Sequence, residues 1–150
     1  MTFIGELTVT KITDTTWRLQ KPLQYANQEL IVTAKKGLQS DFASIPRPFW
    51  SLIGSPATGK YTKSALIHDA LYASEILSRS KADKLFLEMM VCEGVSLIKR
   101  HLMYWAVRMG GAFVWSKHTQ KSIDEGQKYC EINATNTGFS RNKGHKYGKI

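Results

Sequence analysis

The order of apolar and polar residues changes character about one third of the way along the chain. Apolar residues alternate with polar ones in three early segments, 3–12, 15–20 and 29–34. In the second segment Trp17 and Leu19 alternate with polar neighbours, so one face of an extended chain is apolar. The three segments predict a small antiparallel β meander.

From about residue 62 onward, apolar residues recur every three or four positions, which is the period of a helix. A first helix is predicted over 62–77, capped by Thr62 or Ser64. A second is predicted after Ser80, with a glycine as its stop, and a third over 96–109, before a pair of glycines. The residues predicted to face the core are Leu66, Ala70, Leu71 or Leu77, Leu85, Phe86, Met89, Met90, Ile98, Leu102, Trp105 and Met109.

Strands followed by helices predict an α+β fold, with an N-terminal antiparallel β meander, about three helices and a basic C-terminal arm. Between the strands and the helices, residues 39–50 read Q-S-D-F-A-S-I-P-R-P-F-W. Two prolines there exclude regular helix and central strand, and the apolar side chains predict an ordered loop. The length of 150 residues suits one domain, 1–132, followed by a flexible arm, 133–150.

Positive charge is concentrated at the C-terminal end of the chain. The formal net charge is +9, and the arm has no acidic residue to balance its arginine and three lysines, Arg141, Lys143, Lys146 and Lys149. Such a segment attracts nucleic acid without sequence preference, or the acidic surface of another protein. No helix-turn-helix, zinc-finger or RNA-binding signature accompanies it.

Cysteine content and hydropathy exclude several classes of protein. The only cysteines, Cys92 and Cys130, form neither a disulfide framework nor a zinc-binding spacing. The sequence shows no basic and apolar signal region at its start and no run of about 18 apolar residues. We therefore expect synthesis in a reducing cytoplasm and no membrane span.

The stretch S-A-L-I-H-D-A-L-Y, residues 64–72, contains the candidate chemistry. At about 100° per residue, His68, Asp69 and Tyr72 fall on one side of a helix, and Glu75 extends the same stripe. Imidazole and carboxylate groups bind divalent metals, and a His–Asp pair can also serve as general base and orienting acid. The catalytic candidates are His68, Asp69, Asp41 and Tyr72.

Two carboxylates from other segments could converge on this stripe, Asp41 and Asp83. With His68 and Asp69 they would form a site for Zn²⁺ or for Mg²⁺/Mn²⁺, which His101 could join. Structural interpretations stay open beside this one. Asp83 completes the capping-box pattern S-K-A-D, Asp41 can cap a local turn, and a buried His–Asp–Tyr network can simply hold a helix against a loop.

Four motifs in order carry a resemblance to a known family: D-F-A-S-I-P-R (41–47), A-L-I-H-D-A-L-Y (65–72), S-R-S-K-A-D-K-L-F (78–86) and Y-W-A-V-R-M-G-G (104–111). Over residues 38–115 the chain resembles small phage and prophage proteins grouped as a domain of unknown function. The resemblance implies a phage origin, and it provides no reaction to transfer. The positions that match the family's motifs are Asp41, Ser44, Pro46, Arg47, His68, Asp69, Tyr72, Arg79 and Asp83.

Two classes of function follow as hypotheses, and they leave open whether the protein is an enzyme. The first is a virion-associated accessory or structural protein of a phage tail or tail tip. It would be made in the host cytoplasm and would bind other phage structural proteins or further copies of itself. The second is a metal-dependent hydrolase that cleaves a cell-wall or phosphate ester bond at the His/Asp site.

Overall fold

The structure is a computed structural model, and it describes residues 1–41 and 59–135. In this part of the chain, short strands at the N-terminus are followed by helices and a last strand. The strands are β1 (Thr2–Ile4), β2 (Val9–Lys11), β3 (Trp17–Leu19), β4 (Leu23–Ala26), β5 (Leu30–Ala34), β6 (Gln39–Ser40) and β7 (Cys130–Ala134). The helices are α1 (Thr62–Ser74), α2 (Arg79–Cys92), α3 (Leu97–Ser116) and α4 (Gln120–Gln127). The predicted α+β class is confirmed.

Two antiparallel sheets form from these strands. One has the order β1-β4-β5-β7 and the other the order β2-β3-β6. In the first sheet Tyr25 of β4 is opposite Val32 of β5, which in turn is opposite Ile132 of β7. Tyr25 and Val32 are fully buried, as the two-residue period of a strand with one face on the core requires. Strand β7 includes Asn133, so the ordered sheet extends past the predicted start of the arm.

Helix α1 lies at the centre of the molecule. It contacts α2 and α4 and strands of both sheets, and it is buried on nearly every side. Leu66, Ala70 and Leu71 are buried as predicted, but so is Ile67 on another side of the helix. This position explains why the S-A-L-I-H-D-A-L-Y stretch is apolar apart from a few groups, since each polar group there must find a partner.

The N-terminus of α1 is capped by a residue distant in sequence. Neither predicted cap forms; instead the Glu93 carboxylate accepts hydrogen bonds from the backbone N–H of Lys63 (3.3 Å) and of Ser64 (2.9 Å), and from the Ser64 hydroxyl. A carboxylate suits this place because the first N–H groups of a helix are free and carry partial positive charge. Burial raises the pKa of Glu93 despite these bonds.

Helix α3 differs from the prediction in its length and its orientation. It continues through the two glycines to Ser116, and its buried side is formed by Met103, Ala106, Val107 and Gly111. The predicted core face was wrong. Ile98 is 84% exposed, Trp105 59% and Met109 66%, and Leu102 is exposed as well. Both sides of this helix are apolar, so periodicity alone could not select the inner one.

Gly111 has a steric reason for being glycine. It faces Tyr72 of α1, and a Cβ at this position would overlap the Tyr72 hydroxyl and ring. Glycine within a helix costs only about 1 kcal/mol relative to alanine, so a close approach of two helices can outweigh the loss. The missing side chain therefore allows α3 to lie directly against α1.

Replacing Gly111 by alanine should destabilise the protein by about 1–3 kcal/mol, because the added methyl group forces the two helices apart. Urea unfolding measures the change. Ala112→Ser is the control: at an exposed position of the same helix, it should change stability by no more than about 0.5 kcal/mol. Equal stability of the parent and Gly111→Ala would show that the contact with Tyr72 is not tight.

Candidate functional site

The centre of the polar cluster is the carboxylate of Asp83, which is fully buried. One of its oxygens, Oδ1, lies 2.9 Å from Nε2 of His68 and accepts a hydrogen bond from the Tyr72 hydroxyl at 2.6 Å. The other, Oδ2, accepts from Nη1 of Arg108 at 2.6 Å, with Nη1 of Arg79 at 3.6 Å. We call these five residues the Asp83 cluster.

Helical spacing brings the donors together. His68 and Tyr72 are four residues apart on α1, and Arg79 and Asp83 are four apart on α2, so each pair shares one side of its helix. Arg108 projects from α3, and Arg79 donates to its backbone carbonyl at 2.9 Å. The cluster therefore joins three helices through one carboxylate.

Aromatic rings enclose the cluster. The His68 ring is stacked on Phe86, with 4.6 Å between the centroids, and lies 4.3 Å from the Tyr72 ring. Trp115 meets the Tyr72 ring edge-on at 5.1 Å. His68 is fully buried, so its imidazole contributes to the core as an aromatic ring as well as a hydrogen-bonding group.

Electrostatics in the cluster favour the ionised carboxylate. Burial by itself would raise the pKa of Asp83, but the hydrogen bonds from His68, Tyr72 and Arg108 outweigh it and lower that pKa. Burial and the neighbouring carboxylate raise the pKa of Tyr72, so the phenol keeps its proton and acts as a donor. The ion pair with Asp83 raises the pKa of Arg108.

Asp69 and Asp41, two of the predicted site residues, do not belong to the Asp83 cluster. The Asp69 carboxylate accepts a hydrogen bond from the Ser40 hydroxyl, which ties α1 to β6. Asp41 follows Ser40 directly and is exposed at the end of that strand. Of the four predicted metal ligands, His68 and Asp83 are therefore hydrogen-bonded to each other, and Asp69 is hydrogen-bonded to Ser40 of β6.

The chemistry of the Asp83 cluster suits a hydrogen-bond network better than a cation site. Two guanidinium groups lie beside one carboxylate, so a divalent cation there would meet net positive charge. Within residues 1–41 and 59–135, no group of three or more His, Cys, Asp or Glu side chains is arranged to hold a metal ion. His101, the further candidate ligand, is exposed on α3.

The structure tests two of the structural interpretations, the capping box at Asp83 and the buried hydrogen-bond network. The capping-box interpretation of Asp83 was wrong: α2 begins at Arg79, with Ser78 as its N-cap, and Asp83 lies beyond its first turn. The network interpretation was right that His68 and Tyr72 belong to a buried hydrogen-bond network, but the carboxylate they share is Asp83 on α2 and not the predicted Asp69. The predicted turn at Asp41 involves Ser44, which lies outside the described residues with Pro46 and Arg47.

Sequence reasoning missed Arg108 and a second polar pair. Arg108 is a charged residue within an apolar helix, a signal that could have marked it as the partner of a buried acid. Glu75, in a left-handed conformation (φ 46°) directly after α1, lies 2.9 Å from Nδ1 of His118. This pair connects the end of α1 to the turn between α3 and α4.

The fold and the cluster define an α+β domain organised around a buried His–Asp–Tyr–Arg network. The model of a family described as protein of unknown function (DUF1353) matches residues 17–107, more than half of the chain, and the chain belongs to this family. The matched region includes four of the five residues of the Asp83 cluster and ends one residue before the fifth, Arg108.

The chain is also similar to a curated protein, the uncharacterized protein y4jT of Sinorhizobium fredii (strain NBRC 101917 / NGR234). The two are 44% identical over 77 residues, which is 50% of this chain and 22% of that protein. The chain thus matches less than a quarter of the length of that relative. No solved structure matches the chain.

Replacing Asp83 by asparagine should cost about 3–5 kcal/mol at pH 7, because the guanidinium groups lose their counter-charge. The folded-state pKa of Asp83 lies below its ordinary value of 3.8, so its contribution is complete above about pH 4 and is lost as the pH falls through the folded-state pKa. The stability difference between parent and variant should therefore shrink as the pH is lowered.

Urea unfolding at a series of pH values from 7 to 3 measures this difference. Asp14→Asn serves as the control, because Asp14 is exposed and its ion pair with Lys11 lies at the surface. The control should follow the parent at every pH. A gap between parent and Asp83→Asn that stays constant down to pH 3 would contradict the assigned role of the ionised carboxylate.

Proposed function

We propose that this protein is a phage-encoded, virion-associated accessory or structural protein, of the tail or tail tip, that works by binding other proteins. The observation that carries the proposal is an exposed apolar stripe on α3. Its members recur every three or four residues along the outer side of the helix: Ile98, Leu102, Trp105, Met109 and Phe113. We call this surface the α3 stripe.

The α3 stripe has the composition of a protein–protein interface. Aromatic residues and methionine are enriched at the centres of such interfaces, and Trp105 and Phe113 are 59% and 65% exposed. Contiguous apolar surface of this kind is uncommon on proteins that act alone. Over residues 1–41 and 59–135, no helix is long and apolar enough to cross a membrane, and that includes α3.

The phage context is supported by the four motifs that resemble phage and prophage proteins. The basic arm fits the same context, because it gives the protein a second means of contact with acidic protein surfaces or with nucleic acid. The Asp83 cluster then serves as the rigid support of the α3 stripe. Its donors are directed at the Asp83 carboxylate within the core, as expected of a scaffold.

A metal-dependent hydrolase is the second candidate, and the 2.9 Å contact between His68 and Asp83 favours it. A carboxylate that orients a histidine is a common arrangement in catalysis. Against it, both oxygens of Asp83 already accept hydrogen bonds from protein side chains, and His68 is fully buried. Two surface depressions, of about 250 and 400 Å³, are lined by other residues.

Mass spectrometry of purified particles of the encoding phage tests the structural role. We expect the protein at a copy number comparable to that of tail components, and Trp105→Ser should reduce its incorporation about tenfold or more without lowering the melting temperature. Ile12→Ser, at another exposed apolar residue, should be incorporated normally. Abundant protein in the lysate with none in the particles would refute the proposal.

Replacing His68 by asparagine separates the two candidates. In the structural role the change should cost about 1–3 kcal/mol, because asparagine reaches Asp83 imperfectly, and a chelator should shift neither melting curve. The exposed His101→Asn is the matched control and should melt like the parent. A parent melting temperature that falls with chelator, while that of His68→Asn does not, would favour the hydrolase.

A further inference from the structure

We propose that the α3 stripe binds an acidic amphipathic helix of another protein, one whose apolar side chains are flanked by aspartates or glutamates. This inference rests on the proposed function, because it names the chemistry of the partner that the α3 stripe binds. Lysines lie beside the α3 stripe at both of its ends, and the helix itself contains no carboxylate to balance them.

The chain around α3 carries positive charge without acidic residues. Residues 94–123 include three lysines and two arginines and no aspartate or glutamate. Of these cations, Arg108 is paired with Asp83. Lys99 and Lys117 form no ion pair with a carboxylate of residues 1–41 or 59–135. Such a surface attracts acidic partners and repels basic ones, and a second copy of this chain would bring the same cations to it.

Two of the lysines lie along one edge of the α3 stripe. Lys99 is three residues before Leu102, and Lys117 is four residues after Phe113, so each is a neighbour of the α3 stripe on the helix surface. The two lysines are separated by about five turns of helix, so they lie on the same side and about 27 Å apart. The Lys117 ammonium lies 3.8 Å from the centre of the Phe113 ring. Positive charge therefore adjoins the apolar surface directly.

A surface depression of about 250 Å³ at the N-terminal end of the α3 stripe offers a place for a carboxylate. Lys60 and Lys99 both line it, together with Tyr61 and Val95. The Lys99 ammonium is held 5.0 Å from the centre of the Tyr61 ring. This contact fixes the position of the charge, and the N–H donors of the ammonium can still bind a carboxylate oxygen. A partner glutamate in the depression therefore lies beside two ammonium groups.

The dimensions of the α3 stripe suit a helical partner. From Ile98 to Phe113 the stripe extends about 22 Å, which is the length of about 15 helical residues. Its residues follow steps of four, three, four and four, the spacing by which one helix packs along another. A partner helix with apolar residues at this spacing covers the stripe, and glutamates on its adjacent side reach Lys99 and Lys117.

A membrane surface suits these features less well. Helices that lie in an anionic membrane surface carry lysine and arginine along their whole polar side. The side of α3 opposite the stripe packs on the core instead, through Met103, Ala106 and Val107. The lysines beside the stripe lie near its two ends, and one of them lines a depression. A partner with carboxylates at matching positions makes use of this arrangement.

Fluorescence anisotropy with three labelled peptides tests the proposal on the full chain. Each peptide is an amphipathic helix of about 18 residues with leucines at three- and four-residue spacing, and its flanking positions carry glutamate, glutamine or lysine. We expect the glutamate peptide to bind about tenfold more tightly than the glutamine peptide, and the lysine peptide to bind least. Equal affinity for the glutamate and glutamine peptides overturns the proposal, as does no binding of the glutamate peptide at about 100 μM.

Charge reversal locates the contact. Lys60→Glu combined with Lys117→Glu should weaken binding of the glutamate peptide about tenfold and strengthen binding of the lysine peptide, because the complementary charges are exchanged. Lys21→Glu combined with Lys36→Glu is the matched control: both lysines are exposed and lie outside α3, so this variant should bind like the parent. Circular dichroism and melting curves show that each variant is folded. An equal loss of binding in both double variants would reflect net charge alone and overturn the proposal.

The apolar part of the contact is measured with Trp105→Ser. This change should weaken binding of the glutamate peptide about tenfold, because a large exposed ring is lost from the middle of the α3 stripe. Ile12→Ser, at an exposed apolar residue outside α3, should bind like the parent. Unchanged binding by Trp105→Ser would place the peptide elsewhere on the protein and overturn the proposal.

Other occupants of the α3 stripe, and the proposed function, give distinguishable results. A chain that binds phosphatidylglycerol vesicles and not the glutamate peptide overturns the proposal in favour of lipid. A dimer that Trp105→Ser dissociates, seen by sedimentation velocity, overturns it in favour of a second copy. Binding of the glutamate peptide by a chain that is absent from phage particles leaves this inference standing and refutes the virion role. Normal incorporation of the Lys60→Glu, Lys117→Glu variant, with loss of Trp105→Ser from particles, does the reverse.

Discussion

A buried carboxylate constrains the arrangement of the helices in this protein. Removing Asp83 from water is costly unless its oxygens are hydrogen-bonded and its charge is balanced. Residues close to Asp83 in sequence cannot meet that requirement, because Arg79, the donor on the same helix, lies 3.6 Å from the carboxylate. Three helices must converge so that His68, Tyr72 and Arg108 can reach the carboxylate, and a misaligned helix would leave a buried charge uncompensated.

The same constraint determines the outer surface of the molecule. Helix α3 is apolar on two sides, and either could face the core on hydrophobic grounds alone. The ion pair of Arg108 with Asp83 and the close approach of Gly111 to Tyr72 select one side, the one with Met103, Ala106 and Val107. Trp105, Met109 and Phe113 are then exposed as a consequence. The orientation of α3 against α1 and α2 thus both completes the buried Asp83 cluster and exposes the α3 stripe.

This connection bears on how the polar residues of the Asp83 cluster are understood. Histidine, aspartate and tyrosine in one cluster are typical of active sites, and they are equally typical of hydrogen-bond networks that specify a unique packing. Here the carboxylate is surrounded by donors from its own chain and lies among aromatic rings. We therefore propose that recognition takes place at the surface of α3 and at the basic arm, and that the cluster provides structural support.

The sequence by itself determined that short strands precede α1, α2 and α3, and which side of α1 carries His68 and Tyr72, because these features depend on periods of two and 3.6 residues. It did not predict α4 and β7. The sequence also identified Asp83 as a carboxylate that could converge on the side of α1 that carries His68. Only the tertiary structure decided which side of α3 is buried, that Glu93 caps α1 and that Ser40 pairs with Asp69. These contacts join residues that are 25 or more apart in sequence, and local periodicity contains no information on which distant groups will meet when several arrangements bury similar apolar area.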